Sequence, residues 1–372
     1  MIIKELGELI AQRRVVICCG AGGVGKTTTA TALALAAARR GRRVLALTID
    51  PSKRLAQTLG VERNLKAPVS LPPERLRAAG IEAPGALETW MLDPQLISDR
   101  TISRLARTPE DAERMKKNRI YQQISRMVAG MQEYTAMEAL HTFLKEERYD
   151  LIVLDTPPSR HALDFLDGPR RLERFFDGRI FQLFKSSEDS GIFMQAASKL
   201  IGNVLSSVFG EESYNELQDF FGSFASIFSI LTVNAGDMFK RLSNPEDSAF
   251  VLITSPSSEA VIDALHFRDK ADSMDLPFAG FILNRSQAYE DDRIFPHDGL
   301  FGDNPTAVQR SAIAKLQDLA RIEQATVERD RVLMGELSQT AGPQAFAAAL
   351  PNLPKGANDI SALVNLAQIV GG

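Results

Sequence analysis

Short apolar runs alternate with longer segments of helical periodicity along this chain. Seven runs rich in β-branched and other apolar residues have the length and composition of buried strands. They occupy residues 13–19, 42–50, 86–93, 149–155, 249–256, 277–285 and 345–351. Strands that alternate with helices in this way are typical of a parallel, doubly wound sheet. The pattern therefore predicts an α/β fold with a mainly parallel sheet.

Two long stretches interrupt this alternation. Residues from about 94 to 147 and from about 160 to 245 have mainly helical spacing. We interpret both as insertions at strand ends, where the ligand sites of such sheets lie. The sequence contains no internal repeat. We therefore expect one domain over residues 1–372, with a helical subdomain formed by the two insertions.

Charge and cysteine content narrow the classes of function. The 43 Lys and Arg residues are balanced by 47 Asp and Glu residues, which disfavours nucleic acid as a partner. No apolar run reaches the roughly 20 residues needed to cross a bilayer, so we expect no integral membrane segment. The two cysteines, Cys18 and Cys19, are adjacent and cannot build a disulfide framework. Together with a charged N-terminal segment unlike a signal peptide, these features predict a cytoplasmic protein.

A glycine-rich loop, "GAGGVGKTT", follows the first strand run. Gly20, Gly25, Lys26 and Thr27 have the spacing of a phosphate-binding P-loop. The glycines let backbone N–H groups turn toward phosphate oxygens, the lysine reaches the terminal phosphates, and the threonine hydroxyl binds Mg²⁺. A glycine loop without nucleotide is the alternative, which the flanking strand and helix disfavour. The motif predicts a P-loop NTPase.

Two aspartates at the ends of other strand runs are candidates for nucleotide chemistry. Asp155 ends an apolar run, where a P-loop protein needs a carboxylate to hold the Mg²⁺ shell; a helix cap is the alternative. Asp50 would position or deprotonate the attacking water. The alternative for Asp50 is a turn-forming pair with Pro51.

Four motifs in order resemble those of the ArsA/Get3 family of ATPases, in the P-loop class that includes the MinD and ParA proteins and the nitrogenase iron protein. The P-loop is similar to "GAGGVGKTT", switch I to "DPSKRLAQ", switch II to "DTPPSRHALDFL" and the base-recognition strand to "FILNR". The sequences of the switch I and switch II motifs are most similar to those of the bacterial branch known as anion-transporting ATPases. The motifs and the helical insertion between them extend over essentially the whole chain.

The resemblance implies roles for individual residues and the cofactors ATP and Mg²⁺. Asp50 would activate the attacking water, Asn284 would read adenine, and the segment near Pro351 would pack on the base. Thr27 would bind the Mg²⁺ directly, and Asp155 would hold the outer shell of ligands around the ion. The predicted phosphate cradle is formed by Gly22, Gly23, Val24, Gly25, Lys26, Thr27 and Thr28.

The chain lacks a lysine and several cysteines that are typical of the family. The family's signature lysine, which reaches across a dimer to the partner's phosphates, corresponds to Ala21. We hypothesise that Arg54 or Lys53 partly replaces it when switch I closes, or that a paralogue supplies it in a heterodimer; solvated surface charges are the alternative. The zinc-binding CxxC and the separate arsenite-binding thiols are also absent, so we do not expect an arsenite pump subunit.

The second insertion is rich in phenylalanine, with eleven of the chain's 20 Phe between Phe175 and Phe239. Part of it forms an apolar stripe at helical spacing. The stripe consists of Phe220, Phe224, Ile227, Phe228 and Leu231. A helical core or a dimer surface is one interpretation. The other, from the family, is a groove for a hydrophobic client that opens and closes with nucleotide.

These features together predict a dimeric, Mg²⁺-dependent ATPase that handles a hydrophobic or membrane-protein client. A positioning switch similar to ParA or MinD is an alternative. It is disfavoured by the charge balance and by the C-terminal segment, "DISALVNLAQIVGG", which has no Lys or Arg. A nucleotide-binding subunit with little turnover is the other alternative, because position 21 is alanine.

Overall fold

The computed structural model describes residues 4–49, 66–81, 86–119, 121–122, 131–157, 211–291, 295–302, 304–352 and 360–371. The strands in these ranges form one sheet of eight, in the spatial order β3-β4-β2-β5-β1-β6-β7-β8. They are β1 Val15–Cys19, β2 Val44–Thr48, β3 Val69–Ser70, β4 Leu87–Met91, β5 Leu151–Asp155, β6 Ser248–Thr254, β7 Phe278–Leu283 and β8 Phe346–Ala349.

The predicted doubly wound, mainly parallel sheet is confirmed. Each of the seven predicted strand runs overlaps one of the seven longer strands, and all pairs between these strands are parallel. The eighth strand, β3, is antiparallel to β4 at the sheet edge and was not predicted. It has two residues and is only partly buried, so it leaves no apolar run in the sequence.

Helices cover both faces of the sheet. In the described ranges they are α1 Lys4–Gln12, α2 Lys26–Arg39, α3 Pro73–Ala78, α4 Pro94–Leu105, α5 Pro109–Lys117, α6 Met131–Glu146, α7 Glu211–Leu242, α8 Ser258–Ser273, α9 Ala307–Ala341 and α10 Ile360–Gly371, with a 3₁₀ turn at Asp298–Phe301. None of these helices is both long and apolar enough to cross a membrane.

Two hydrophobic cores lie on opposite faces of the sheet, because side chains alternate along each strand. In β1, Val16 and Cys18 contribute to the core formed with α1, α2 and α10. Val15, Ile17 and Cys19 contribute to the core formed with α6, α7 and α8. All five side chains are buried, which explains why β1 is a continuous apolar run.

The described parts of the two predicted insertions contribute helices that pack against one another. α4, α5 and α6 occupy the first insertion, and α7 is the described part of the second. α7 packs against α4, α5 and α6. Phe220, Ile227 and Leu231 of the predicted stripe are each at most 3% exposed in the single chain. The side chains of Phe224 and Phe228 lie outside the described residues.

The sheet order places β1 between β5 and β6. The chain leaves β1 at the glycine loop, enters α2 and returns to β2 on the β5 side, whereas β6, β7 and β8 extend the sheet on the other side. The carboxyl end of β1 is therefore a topological switch point, where α/β sheets bind ligands.

Candidate functional site

The glycine loop at the switch point ends in an unusual backbone conformation. Gly25 precedes the first residue of α2 with φ 94° and ψ 26°, in the left-handed region that favours glycine. A Cβ atom added to Gly25 would lie 2.1 Å from Nδ2 of Asn284. No side chain caps the N-terminus of α2, and its first turn carries no acidic residue. Its first N–H groups and the positive end of its dipole suit an anion such as phosphate.

Gly25→Ala is expected to destabilise the chain without nucleotide more than Gly41→Ala does. Gly41, just beyond α2, also has a left-handed φ of 83°, but an added Cβ there meets nothing within 4 Å. Gly41→Ala is therefore expected to lower the free energy of unfolding by about 1 kcal/mol, through the backbone conformation alone. Gly25→Ala is expected to lower it by about a further 1–3 kcal/mol, because the added Cβ also clashes with Asn284. Urea unfolding of both variants measures the difference; equal losses would show that Asn284 does not confine the loop.

Lys26 is the first residue of α2, and its side chain turns back over the loop. Its Nζ donates a hydrogen bond to the carbonyl oxygen of Ala21 at 2.9 Å, although the residue is only 5% exposed. Burying an ammonium group is costly unless hydrogen bonds or an anion compensate. The structure thus holds a positive charge inside the loop, next to the first N–H groups of α2.

Two hydroxyl groups converge on the carboxylate that ends β5. Oγ1 of Thr27 donates to Oδ2 of Asp155 at 2.7 Å, and Oγ1 of Thr48 donates to the same oxygen at 3.1 Å. Asp155 is 1% exposed. Hydroxyl and carboxylate oxygens are the donors that Mg²⁺ prefers. The donor set therefore fits Mg²⁺, with Thr27 and Asp155 as the residues that would hold it.

Thr48 was not among the predicted site residues. It is the last residue of β2 and is fully buried. Pairing of β2 with β5 places it directly beside Asp155. The available signal was its position near the end of the strand run 42–50, two residues before Asp50. Its contact with Asp155 depends on the order and register of the strands, which the sequence pattern does not give.

Asn284 lies on the opposite side of the loop from Asp155, at the end of β7. It is 4% exposed, and its Nδ2 donates to the carbonyl oxygen of Val24 at 2.8 Å. Pro351 follows β8, the neighbour of β7, and is half-buried. The structure thus brings the proposed base-reading residue to the edge of the phosphate loop, with the Pro351 segment at the next strand end.

The remaining residues of the predicted cradle lie between β1 and the first turn of α2. Gly22 and Gly23 are exposed, Val24 is buried, and Thr27 and Thr28 are half-buried. Ala21 packs against the core on the α2 side. The predicted cradle is therefore continuous in the structure from the end of β1 to α2.

The predicted switch I residues Asp50, Lys53 and Arg54 lie outside the described residues. The chain that leads to them is anchored at the site, because the N–H of Ile49 donates to the carbonyl oxygen of Asp155 at 3.1 Å. The roles assigned to these three residues stay predictions.

Both cysteines are buried in β1 and are free thiols. Burial is the main cause that raises the pKa of both thiols, that of Cys19 to about 12. Soft metalloids bind the thiolate form, which these groups do not provide at neutral pH.

This chain is similar to several known proteins. A family model described as "Anion-transporting ATPase" matches residues 13–255. The "ATPase get3" of Schizosaccharomyces pombe is 24% identical over 312 residues, 82% of this chain and 80% of that protein. The "Putative arsenical pump-driving ATPase 1" of Aquifex aeolicus is 24% identical over 237 residues, 63% of this chain. An uncharacterized protein of Streptomyces coelicolor is 33% identical over 163 residues, 43% of this chain.

The matches extend over only part of some of these relatives. They span 56% of the Aquifex aeolicus protein and 38% of the Streptomyces coelicolor protein. The residues of the P-loop, Asp155 and β6 all lie inside the range of the family match.

Proposed function

Because this chain belongs to the anion-transporting ATPase family, we propose that it is a Mg²⁺-dependent ATP hydrolase that acts as a nucleotide-switched dimer. The observation that carries the proposal is the arrangement at the end of β1. There the buried ammonium of Lys26 lies in the glycine loop, and the hydroxyl of Thr27 meets the carboxylate of Asp155.

Each group has a defined task in this reaction. Water attacks the γ-phosphorus, the bond to the β–γ bridging oxygen breaks, and ADP and phosphate form. Lys26 and the N–H groups of the loop face the negative charge that spreads over the phosphate oxygens. Asp50 orients the water and takes up its proton. Mg²⁺, held by Thr27 and Asp155, would supply further neutralisation of the phosphate charge.

The preference for ATP over GTP is assigned to Asn284 and the Pro351 segment. Its support is the resemblance of "FILNR" to the family's base-recognition strand and the contact of Asn284 with the loop.

Release of inorganic phosphate from ATP by the purified chain tests hydrolysis, measured with Mg²⁺ and with EDTA. Sedimentation velocity with a non-hydrolysable ATP analogue and with ADP tests the dimer. We expect phosphate release only with Mg²⁺ and a heavier species with the analogue. Equal phosphate release with EDTA would contradict the metal role, and one sedimentation coefficient in all nucleotide states would contradict the switch.

The alanine at position 21 bears on how the dimer works. Its carbonyl oxygen binds Lys26, and its side chain has no charge to offer a partner's phosphates. We propose that Arg54 of switch I supplies part of the missing charge in a homodimer. A heterodimer with a paralogue that keeps the lysine, or a subunit with low turnover, is the second candidate that this alanine favours.

Arg54→Ala is expected to lower kcat by about tenfold and leave ATP affinity within twofold. Loss of the whole positive charge that faces the transition state lowers the rate on the order of a thousandfold, and Arg54 would supply only part of that charge. Lys53→Ala separates the two candidate residues of switch I, because only the residue that faces the phosphates is expected to lower kcat when it is replaced. Steady-state kinetics and calorimetric titration separate the two quantities. An unchanged kcat in Arg54→Ala would remove Arg54 from catalysis and leave Lys53 or a partner chain as the source.

The client is proposed to be hydrophobic and to bind the helical subdomain. The buried Phe220, Ile227 and Leu231 favour a core role for that part of the stripe. Support for a client surface comes instead from Ile230 and Val233 of α7, which are 41% and 62% exposed. Crosslinking of an apolar helical peptide to this face in the ATP-analogue state, and not with ADP, would support the proposal.

Arsenite is not proposed as a substrate, although the Aquifex aeolicus relative is described as a putative arsenical pump-driving ATPase. The two thiols of this chain are fully buried, with a raised pKa. We further propose a cytoplasmic location, in accord with the reduced state of these thiols.

A further inference from the structure

We propose that Asp330, a residue of the long helix α9, is a positioning residue for recognition of the nucleotide base. The inference rests on the proposed function, in which Asn284 reads adenine. Asp330 is distant in sequence from the phosphate loop and from all of the predicted site residues. Its side chain nevertheless holds the turn that directly follows Asn284.

Asp330 is fully buried, and both of its carboxylate oxygens are engaged. Oδ2 accepts a hydrogen bond from the backbone N–H of Gln287 at 2.8 Å and another from Oγ of Ser286 at 3.3 Å. Oδ1 accepts from Nε and Nη2 of Arg329 at 3.0 and 2.7 Å. The carboxylate thus joins the turn after β7 to α9, with its charge balanced by the neighbouring guanidinium.

The next residue of α9 holds the other end of the same turn. Nε of Arg331 donates to the carbonyl oxygen of Ala288 at 3.2 Å, and Nη2 donates to that of Glu290 at 2.8 Å. Within the turn, the N–H of Ala288 donates to Oγ of Ser286 at 3.1 Å. α9 therefore fixes both N–H and C=O groups of residues 286–290.

The turn transmits this constraint to Asn284. Arg285 lies between Asn284 and Ser286 with φ 59°, a left-handed conformation that a non-glycine residue keeps only when its surroundings impose it. The N–H of Ser286 donates to the carbonyl oxygen of Leu350 at 2.9 Å, next to Pro351. Asp330 is thus connected to both segments proposed to contact the base.

A contribution to the free energy of unfolding alone does not explain why a carboxylate occupies this buried position. A buried ion pair is often no more stabilising than apolar residues of the same volume, because desolvation offsets the attraction. A carboxylate does, however, bind a backbone N–H and a hydroxyl at defined positions, which an apolar residue does not. The geometry points to placement of the turn, and hence of the Asn284 amide.

The test compares binding of ATP with binding of inorganic tripolyphosphate, both with Mg²⁺, to the full chain by calorimetry. Tripolyphosphate reports the phosphate loop alone, because it lacks the base. Asp330→Asn is expected to weaken ATP binding by about tenfold, the worth of roughly one hydrogen bond to a charged group. Binding of tripolyphosphate is expected to stay within twofold. An unchanged ratio of the two affinities would overturn the inference.

Glu138→Gln is the matched control. Glu138 is also a buried carboxylate paired with a half-exposed arginine, Arg104, but it lies on α6 in the helical subdomain. Its replacement is expected to leave the affinity ratio unchanged. A fall in ATP affinity equal to that of Asp330→Asn would show a general effect of removing buried charge and overturn the assignment.

A second variant tests the role of the turn in base recognition if Asp330→Asn does not fold. Ser286→Ala removes the hydrogen bond from Ser286 to Asp330 and also the one that Oγ of Ser286 accepts from the N–H of Ala288. It is expected to lower the ratio of ATP affinity to tripolyphosphate affinity by about threefold; no change in that ratio would overturn the inference. The proposed function fails separately, because a wild-type chain that binds neither ligand would contradict nucleotide binding itself. A wild-type chain that binds both ligands equally would contradict base recognition, and the inference with it.

Discussion

Lys26→Ala is expected to lower ATP hydrolysis by about 10²–10³-fold, the usual cost of removing one preorganised donor from a developing negative charge. The lysine is buried in the loop, where its Nζ binds the carbonyl oxygen of Ala21. The charge is therefore already in place, with little reorganisation needed when phosphate enters. Phosphate release under saturating ATP measures the loss.

A stability measurement shows whether the variant also loses binding. Wild-type chain at an ATP concentration 100 times its Kd is expected to gain about 2.7 kcal/mol in the free energy of unfolding. Lys26→Ala should lose most of that gain. Lys4→Ala, which removes an 82% exposed lysine from α1, is the control and should keep it. More than a tenth of wild-type hydrolysis in Lys26→Ala would contradict the role of Lys26.

Asp155→Asn is expected to lower hydrolysis by about 100-fold and to raise the Mg²⁺ concentration needed for half-maximal rate. The amide keeps the shape of the carboxylate and an oxygen that accepts from Thr27 and Thr48, so the packing at the end of β5 is preserved. It lacks the negative charge that holds a divalent cation. A titration of the rate with Mg²⁺ measures both effects.

Asp150→Asn is the control for this variant, because Asp150 directly precedes the same strand at its opposite end. Its carboxylate forms an ion pair with Arg43 near the surface, which holds the pKa of Asp150 below its usual range. Loss of this pair is expected to leave hydrolysis unchanged and to cost at most about 1 kcal/mol of stability. If Asp155→Asn needed no more Mg²⁺ than Asp150→Asn, Asp155 would not be a metal-holding residue.

The strands and the phosphate loop could be predicted from the sequence because their signals are local. β1 is buried on both faces and is therefore a continuous apolar run, and the loop after it needs glycine where Gly25 has a left-handed φ. The position of Asp155 at the end of β5 could be predicted for the same reason, because it is the polar end of such a run.

Other parts of the candidate site depend on contacts between distant segments. Thr48 meets Asp155 only because β2 and β5 are neighbours in register. Asp330 meets the turn after Asn284 only because α9 packs against β7 and β8. No pattern within a few residues encodes either contact. Asp50 and Arg54, which lie outside the described residues, stay predictions from sequence.

Single-turnover hydrolysis measures whether the chain itself cleaves the ATP that it binds. Chain in excess over ATP labelled at the γ-phosphate is mixed with Mg²⁺, and labelled phosphate is followed over time in wild type and in Lys26→Ala. We expect wild type to convert the bound ATP to ADP and phosphate only with Mg²⁺, and Lys26→Ala not to convert it. Intact ATP recovered from wild type with Mg²⁺, or equal rates in the two chains, would contradict this expectation.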